Sequence, residues 1–144
     1  EKIEHDGNEL LRFPTLEELS EVSEEELRDL GLGYRAKYVV ETVKILQDEG
    51  LAVSDRYEEA REDLKKLYGV GDKVADCVLL FSMKFHEAYP LDTWALKAVD
   101  KHYPNLHSDD YDEASRNLRE YFGPYSGYAQ EYLFHAARKG IVEV

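Results

Sequence analysis

Apolar residues recur along the chain at helical spacing, and short polar or glycine-containing segments separate the groups. In the segment 34–49, apolar side chains return every three or four residues, and Gly50 supplies a C-terminal stop. The same criteria predict helices at about 57–67, 72–85, 92–102, from 109 or 110 to 123, and 125–139. No segment shows a convincing strand-like alternation. The pattern therefore predicts an all-α fold of about eight helices.

Two capping signals mark the beginning of the helical region. Thr15 is followed three residues later by Glu18, and Ser23 is followed in the same way by Glu26. In a capping box of this kind, the hydroxyl and the carboxylate each bind a backbone N–H at the helix start. The spacing predicts two short helices, the second ending at Gly31. Residues 1–12 show no clear element and are interpreted as a lead-in.

Composition narrows the classes of protein that this pattern allows. The chain has 144 residues, 43% of them hydrophobic, which suits one domain with a sizeable core. Its longest uncharged apolar run, 78–81, is far shorter than the ~20 residues that span a bilayer. A single cysteine excludes an internal disulfide and a cysteine-ligated iron–sulfur or zinc site. The net charge of −13, taken alone, argues against a nucleic-acid partner.

The most informative stretch is a tight glycine turn between two predicted helices. Gly69, Val70 and Gly71 form this turn, and Asp72 is the predicted cap of the helix that follows. Glycine lets the backbone approach a ligand closely, and free N–H groups at a helix start bind phosphate oxygens. The pattern is typical of a helix–hairpin–helix, and a plain helix–turn–helix corner is the alternative.

Lys73 lies in the first turn of the helix after the hairpin, where the helix dipole disfavours a cation. Together with partial burial, this position would increase the fraction of free amine, which a Schiff-base nucleophile requires. A solvated surface lysine is the simpler alternative. The helix from Lys73 rises about 18 Å, and the segment 86–92 can extend about 23 Å. Asp92 can therefore return to the lysine, either as a reactive carboxylate or as a simple helix cap.

Together these residues resemble a known family. The sequence GVGDKVADC, followed by the aspartate of YPLD nineteen residues after the lysine, is similar to the helix–hairpin–helix DNA glycosylases. Within that superfamily the chain resembles the eukaryotic-type 8-oxoguanine DNA glycosylase/AP lyases. Three further blocks support this resemblance: FPTLEEL at 13–19, LGLGYRAKYV at 30–39 and FGPYSGYAQ at 122–130.

The resemblance implies roles for individual residues. Lys73 resembles the nucleophile that attacks C1′ of the damaged nucleotide, and Asp92 the carboxylate that stabilises the oxocarbenium-like transition state. Cys77 and Phe134 resemble the side chains on the two faces of the flipped base, and Gln130 the amide that reads its edge. A core aromatic and a surface amide are the alternatives for Phe134 and Gln130.

Other parts of the chain are implied to hold the DNA. Tyr34 and Arg35 resemble the wedge and the reader of the orphaned base; a capping tyrosine and a solvated arginine are the alternatives. The backbone of Gly69, Val70 and Gly71 resembles the family's phosphate clamp. No other cofactor is expected, but the carbonyls of Lys65, Leu67 and Val70 are implied to bind a structural K⁺ or Na⁺.

The resemblance also implies the protein's partner and organisation. Residues 13–144 correspond to the C-terminal portion of the catalytic domain, and the family's N-terminal mixed domain has no counterpart in residues 1–12. The expected partner is double-stranded DNA that contains oxidised guanine, and no association with a membrane is expected. The protein is expected to act as a monomer in the cytoplasm, associated with the nucleoid. A non-catalytic DNA-binding module and a glycosylase for another oxidised base are the alternatives.

Two features depart from the family or from the expected partner. Trp94 stands where the family often has a phosphate-contacting histidine, and core packing is its alternative role. The charge of −13 weakens long-range attraction to DNA. Because charges are screened within about 3 Å near 1 M salt, the acidic composition is interpreted as an adaptation to a salt-rich cytoplasm, as in halophilic archaea.

Overall fold

A computed structural model describes residues 2–143 and shows a predominantly helical chain, which confirms the predicted fold class. The described part contains two short strands, β1 and β2, and eight α-helices, α1 to α8. In chain order these are β1 Lys2–His5, β2 Asn8–Leu11, α1 Leu16–Ser20, α2 Glu24–Leu27, α3 Arg35–Asp48, α4 Tyr57–Lys65, α5 Asp72–Ser82, α6 Thr93–His102, α7 Tyr111–Phe122 and α8 Ser126–Arg138.

The first residues form an element that the helical pattern did not predict. β1 and β2 pair as an antiparallel hairpin, with Ile3 opposite Leu10 and the turn at Asp6 and Gly7. Gly7 has a φ of 77° and Asp6 a φ of 50°, both in the left-handed region that two-residue hairpin turns require. The interpretation of residues 1–12 as a lead-in without an element was therefore wrong within the described residues.

The N-terminal helices begin where the capping signals predict. In α1, Thr15 Oγ1 accepts from the Glu18 N–H at 3.2 Å, and the Glu18 carboxylate accepts from the Thr15 N–H at 2.8 Å. Ser23 and Glu26 form the same reciprocal pair at the start of α2. After α2 the chain makes a π-type turn, Arg28–Leu32, in which Gly31 has a φ of 90°. The second short helix therefore ends within one turn of its predicted stop.

The helix after the hairpin differs from its prediction at both ends. Gly71, not Asp72, is the residue that precedes the first turn of α5, and no side chain caps it. Asp72 is instead the first helical residue, and its carboxylate pairs with Lys65 at 2.8 Å and with Arg61 at 3.0 Å. α5 ends at Ser82 rather than near Phe85, because Lys84 takes a φ of 64°, which a right-handed helix cannot include.

Backbone contacts divide the chain into two compact units. The first comprises the chain up to Leu51 together with Leu67–Gly69, and the second comprises Ala52–Lys66 and the chain from Val70 onwards. The core of the second unit surrounds the start of α6. Its buried members are Tyr89, Leu91, Ala95, Val99, Ala114 and Leu118.

Because Leu91 and Ala95 belong to this core, the backbone on both sides of Asp92 is held by packing. No helix in the described part of the chain is long and apolar enough to cross a membrane.

Candidate active site

A cavity of about 280 Å³ in the second unit brings five predicted residues together. Its size lies just below the range of about 300–1,000 Å³ that is typical of small-molecule sites. The side chains that line it come from α5, α8 and the segment before α6. They are Lys73, Cys77, Phe81, Pro90, Asp92, Gln130, Glu131 and Phe134.

Lys73 and Cys77 occupy successive turns of α5, as their spacing predicts. The buried face of this helix is formed by Ala75, Asp76 and the leucines that follow, so Lys73 points away from the core and is exposed. The expected partial burial of Lys73 was wrong for this reason. Lys73 forms no ion pair within residues 2–143, and its charge and a hydrogen bond act on the thiol of Cys77 in the next turn. Its amine is therefore accessible from the cavity and from solvent.

The thiol of Cys77 is half-buried at one side of the cavity. Burial raises the pKa of Cys77, and the hydrogen bond and charge of Lys73 oppose this shift without cancelling it. A raised pKa keeps the thiol protonated and uncharged near neutral pH. Cys77 is thus suited to packing against a flat, uncharged ligand.

Asp92 reaches the cavity through the return segment, as the geometric argument predicts. One carboxylate oxygen, Oδ1, accepts from the Ala95 N–H at 2.8 Å and caps α6. The other oxygen forms no hydrogen bond within the described residues. Both interpretations of Asp92 are therefore compatible with the structure, because one oxygen caps the helix and the other remains available to a ligand.

Gln130 and Phe134 project from successive turns of α8 into the same cavity. Gln130 is only 4% exposed, and its side-chain Oε1 has no hydrogen-bond partner in the described part of the chain. An unpaired buried amide oxygen is costly, so its presence suggests a partner supplied by a ligand. Phe134 is half-buried, and the guanidinium of Arg138 lies 5.6 Å from its ring centroid.

Sequence reasoning missed three residues of the cavity. Phe81 lies one turn beyond Cys77 on α5 and is 62% exposed, and Pro90 and Glu131 neighbour Asp92 and Gln130 in sequence. The helical spacing of Lys73, Cys77 and Phe81 was the available signal for the first of them, because residues four apart share one face.

The hairpin glycines differ in what they require of the backbone. Gly69 has a φ of 81°, and a Cβ there would lie 2.5 Å from Tyr38 Cγ. Gly71 has an extended backbone with no atom within 4 Å of a Cβ, and it precedes the free N–H groups of the first turn of α5. Val70 between them is half-buried.

Tyr34 and Arg35 lie at the start of α3 in the first unit. Tyr34 is 58% exposed, and the guanidinium of Arg35 lies 4.7 Å from its ring centroid. Tyr38 packs edge-on against Tyr34, with centroids 5.6 Å apart. The pair therefore presents an aromatic surface and a cation side by side.

Trp94 is the second residue of α6, two residues after Asp92, and its side chain is exposed. It is 43% exposed, which excludes core packing as its role, and the ammonium of Lys97 lies 5.8 Å from its ring centroid. A larger and more open cavity of about 620 Å³ is lined by residues 53–55, 83–85 and 87 and by none of the predicted site residues. Within residues 2–143, no group of three or more acidic, histidine or cysteine side chains is placed to hold a metal ion.

The chain is similar in sequence to known proteins. A family model described as "HhH-GPD superfamily base excision DNA repair protein" matches residues 1–124. The chain is 41% identical over 149 residues to "N-glycosylase/DNA lyase OGG1" of Arabidopsis thaliana, covering 91% of this chain and 40% of that protein.

Two solved structures are similar to nearly the whole chain. The 8-oxoguanine glycosylase/lyase of Clostridium acetobutylicum, in complex with double-stranded DNA containing cytosine opposite 8-oxoguanine, aligns with a TM-score of 0.86 at 38% identity. That alignment covers 99% of this chain and 50% of the other. The 3-methyladenine DNA glycosylase of Archaeoglobus fulgidus aligns with a TM-score of 0.69 at 28% identity, covering 96% and 48%. The chain therefore spans about half the length of the proteins that it matches.

Proposed function

Because the chain belongs to the HhH-GPD superfamily of base excision DNA repair proteins, we propose that it removes 8-oxoguanine from duplex DNA and then cleaves the strand as an AP lyase. The observation that carries the proposal is the cavity shared by Lys73, Cys77, Asp92, Gln130 and Phe134. It combines an accessible amine, a carboxylate with a free oxygen and a buried amide with an unpaired acceptor. The amine and the carboxylate are the groups that base excision through a Schiff base requires, and the amide can hydrogen-bond the edge of a base.

In the proposed reaction, the neutral amine of Lys73 attacks C1′ of the flipped nucleotide. The bond between C1′ and the base breaks, and its electron pair leaves with the base, which takes up a proton. Asp92 stabilises the positive charge that develops on the sugar in this step. The amine nitrogen loses one proton after the attack; the bond between C1′ and the ring oxygen then breaks, the ring oxygen takes up a proton, and a protonated Schiff base remains. Loss of a C2′ proton then drives β-elimination, in which the C3′–O bond breaks and its electron pair leaves with the 3′ phosphate.

The proposed recognition of the base uses the other three residues. Cys77 and Phe134 would pack against the two faces of a planar base, and the Oε1 of Gln130 would accept from an N–H on its edge. A base in this cavity would satisfy the buried amide that the protein leaves unpaired. The structural likeness to a 3-methyladenine glycosylase makes other damaged bases the relevant competitors.

The proposed contacts with the rest of the DNA involve the hairpin and the start of α3. Backbone N–H groups at Gly69, Val70 and Gly71 would hold phosphate oxygens, which needs no basic side chain. Tyr34 would fill the gap left by the flipped nucleotide, and Arg35 would bond the unpaired base opposite. The aromatic and cationic surfaces of this pair support that assignment.

The proposed cation would be K⁺ or Na⁺ on the carbonyls of Lys65, Leu67 and Val70. Within residues 2–143, no backbone N–H bonds to the carbonyls of Leu67 or Val70, so both oxygens have lone pairs for a hard cation. The cation would add positive charge beside the phosphate. We further propose that the protein acts as a monomer on nucleoid DNA in the cytoplasm.

The test is borohydride trapping on a duplex that contains 8-oxoguanine opposite cytosine, with the protein expressed from its complete reading frame and with the 144-residue chain. The proposal predicts a covalent protein–DNA adduct that Lys73→Gln abolishes. Asp92→Asn is the matched variant, because asparagine caps a helix as well as aspartate does but carries no charge. It should retain stability and lose at least a hundredfold in excision rate, on the order of an electrostatic catalytic contribution.

Three results would contradict parts of the proposal. Absence of a Lys73-dependent adduct in the complete protein would reject the lyase mechanism. Unchanged DNA binding and biological role in Lys73→Gln would favour a non-catalytic module. Faster excision of an oxidised pyrimidine or of 3-methyladenine in the same duplex would change the assigned substrate.

A further inference from the structure

The second unit contains a buried carboxylate that the proposed reaction does not use. Asp76 lies on α5 and is fully buried. Its Oδ1 accepts from the hydroxyl of Tyr57 at 2.6 Å, and its Oδ2 accepts from the hydroxyl of Tyr111 at 2.7 Å. The guanidinium of Arg61 lies 3.3 Å from Oδ1. Burial raises the pKa of Asp76, and the hydroxyls of Tyr57 and Tyr111 and the charge of Arg61 oppose that shift.

Asp76 is linked to the catalytic residues by its position on the helix. It lies three residues after Lys73 and one before Cys77, but on the side of α5 that faces the core. Whatever holds Asp76 therefore fixes the rotation and depth of the helix that presents the amine.

Tyr111 connects this carboxylate to the segment that carries Asp92. The hydroxyl of Tyr111 donates to Asp76, and its oxygen also accepts from the Leu91 N–H at 3.1 Å. Leu91 directly precedes Asp92 in sequence. Within residues 2–143, this is the one hydrogen-bonded connection between α5 and the residues next to Asp92. Tyr57, the other tyrosine on Asp76, has no such second bond to that segment.

The hydroxyl of Tyr111 can keep both of its hydrogen bonds at neutral pH. Burial, followed by the charge of Asp76, raises the pKa of the Tyr111 hydroxyl far above its ordinary value. The hydroxyl therefore remains protonated and continues to donate to the carboxylate. Leu91 is itself buried in the core, so the bond to its N–H lies in a part of the molecule where a lost partner is not readily replaced by water.

We propose that Tyr111 is a positioning residue that sets the placement of Asp92 relative to Lys73 through its two hydrogen bonds. This inference rests on the proposed function of the same cavity. Tyr111 lines no part of that cavity and would touch neither base nor sugar. Tyr111 would act on the alignment of Asp92 and Lys73. Misalignment of reacting groups lowers the reaction rate more than it weakens DNA binding.

The structure provides a matched pair of variants. Tyr111→Phe and Tyr57→Phe each remove one hydroxyl that donates to Asp76, but only Tyr111→Phe also releases the Leu91 N–H. Under single-turnover conditions on 8-oxoguanine duplex, we expect roughly a tenfold or greater loss of excision rate for Tyr111→Phe, on the scale of a small misplacement of reacting groups. For Tyr57→Phe we expect a loss of less than about threefold, and both variants should bind the duplex as tightly as the unaltered protein.

A second measurement does not depend on activity. In the unaltered protein, amide hydrogen exchange should show a protected Leu91 N–H. That protection should persist in Tyr57→Phe and disappear in Tyr111→Phe. An unprotected Leu91 N–H in the unaltered protein would overturn the proposal without any variant.

The outcomes separate this proposal from the proposed function. If the unaltered protein excises 8-oxoguanine and the two variants lose rate equally, the positioning role is overturned and the proposed function stands. If the unaltered protein excises no base and forms no adduct, the proposed function fails and the positioning role fails with it. A selective rate loss in Tyr111→Phe with unchanged DNA affinity supports the proposal.

Discussion

Replacing Gly69 by alanine tests whether the first glycine of the hairpin is required by the backbone and by its neighbour. Gly69 has a φ of 81°, and an added Cβ would lie 2.5 to 2.9 Å from three atoms of the Tyr38 ring. These atoms include Cγ, the ring atom closest to the backbone, so a small rotation of the ring cannot relieve the overlap. The ring would have to leave its place between Tyr34 and Tyr68.

Two contributions determine the expected magnitude. A non-glycine residue in the left-handed region costs about 1–2 kcal/mol. Displacing Tyr38 disturbs two edge-to-face contacts, each with ring centroids 5.6 Å apart, and such a contact contributes about 0.5–1.5 kcal/mol. We therefore expect Gly69→Ala to lower the free energy of unfolding by about 2–5 kcal/mol, a large part of the 5–15 kcal/mol that is typical of a domain.

Urea unfolding followed by circular dichroism measures this loss, and Gly71→Ala is the matched control. Gly71 has a φ of −98° and open space around its Cβ position, so the same substitution should change stability by no more than about 1 kcal/mol. Adding Tyr38→Ala should reduce the cost of Gly69→Ala toward the backbone contribution alone. The reasoning is refuted if the two glycine variants differ by less than about 0.5 kcal/mol, or if Tyr38→Ala leaves the cost unchanged.

The remaining predictions concern three side chains, those of Lys73, Gln130 and Glu18, and the net charge of the chain. Lys73→Gln should raise the pKa of Cys77 further, because the charge and hydrogen bond of Lys73 lower it in the unaltered protein. Alkylation of the Cys77 thiol by iodoacetamide at mildly alkaline pH should therefore slow. An unchanged pH profile of alkylation would contradict the contact between Lys73 and Cys77. Gln130→Leu should leave stability unchanged or increase it by about 1 kcal/mol, because it removes a buried oxygen that has no hydrogen-bond partner. The same variant should lose excision. Strong destabilisation in thermal unfolding would show that the amide already has a hydrogen-bond partner in the protein. The hydrogen bonds from Arg12 and Thr15 hold the pKa of Glu18 at about 2, below its ordinary value of 4.5. The contribution of the Glu18 carboxylate to stability should therefore be complete above pH 4.5 and be lost as the pH falls through about 2. An NMR titration of Glu18 with an ordinary midpoint would refute this prediction. Finally, if the charge of −13 reflects a salt-rich cytoplasm, the unfolding midpoint should rise between low and molar KCl, and greatest stability with tightest DNA binding at low salt would reject that interpretation.

Much of the helical fold was predictable because its signals are local. Both capping boxes place their helices correctly, and the glycine after α7 ends it where predicted. The strands were missed because four residues on each side are too few for a clear alternation, although the Asp6-Gly7 pair is a recognised hairpin signal. Asp72 was assigned as a cap because its residue type suits one, but its ion pairs with Lys65 and Arg61 depend on tertiary contacts that no local pattern contains.

The candidate site was predictable to the extent that helical spacing and the family resemblance identify it. Lys73 with Cys77 and Gln130 with Phe134 are four residues apart, so each pair had to share a helix face. The exposure of Lys73 and the unpaired oxygen of Gln130 could not be predicted, because both depend on which neighbours fill the second unit. The bridge from Asp76 through Tyr111 to Leu91 joins residues far apart in sequence and has no sequence signature.

The exposed position of Trp94 makes the protein its own spectroscopic reporter. It is the only tryptophan in the chain, and it follows Asp92 by two residues at the start of α6. Selective excitation of indole therefore reads the environment of one turn of one helix, while the eleven tyrosines remain silent. Rearrangement of the Asp92 segment on DNA binding could be followed by stopped-flow fluorescence without a label, and its rate compared directly with that of strand cleavage.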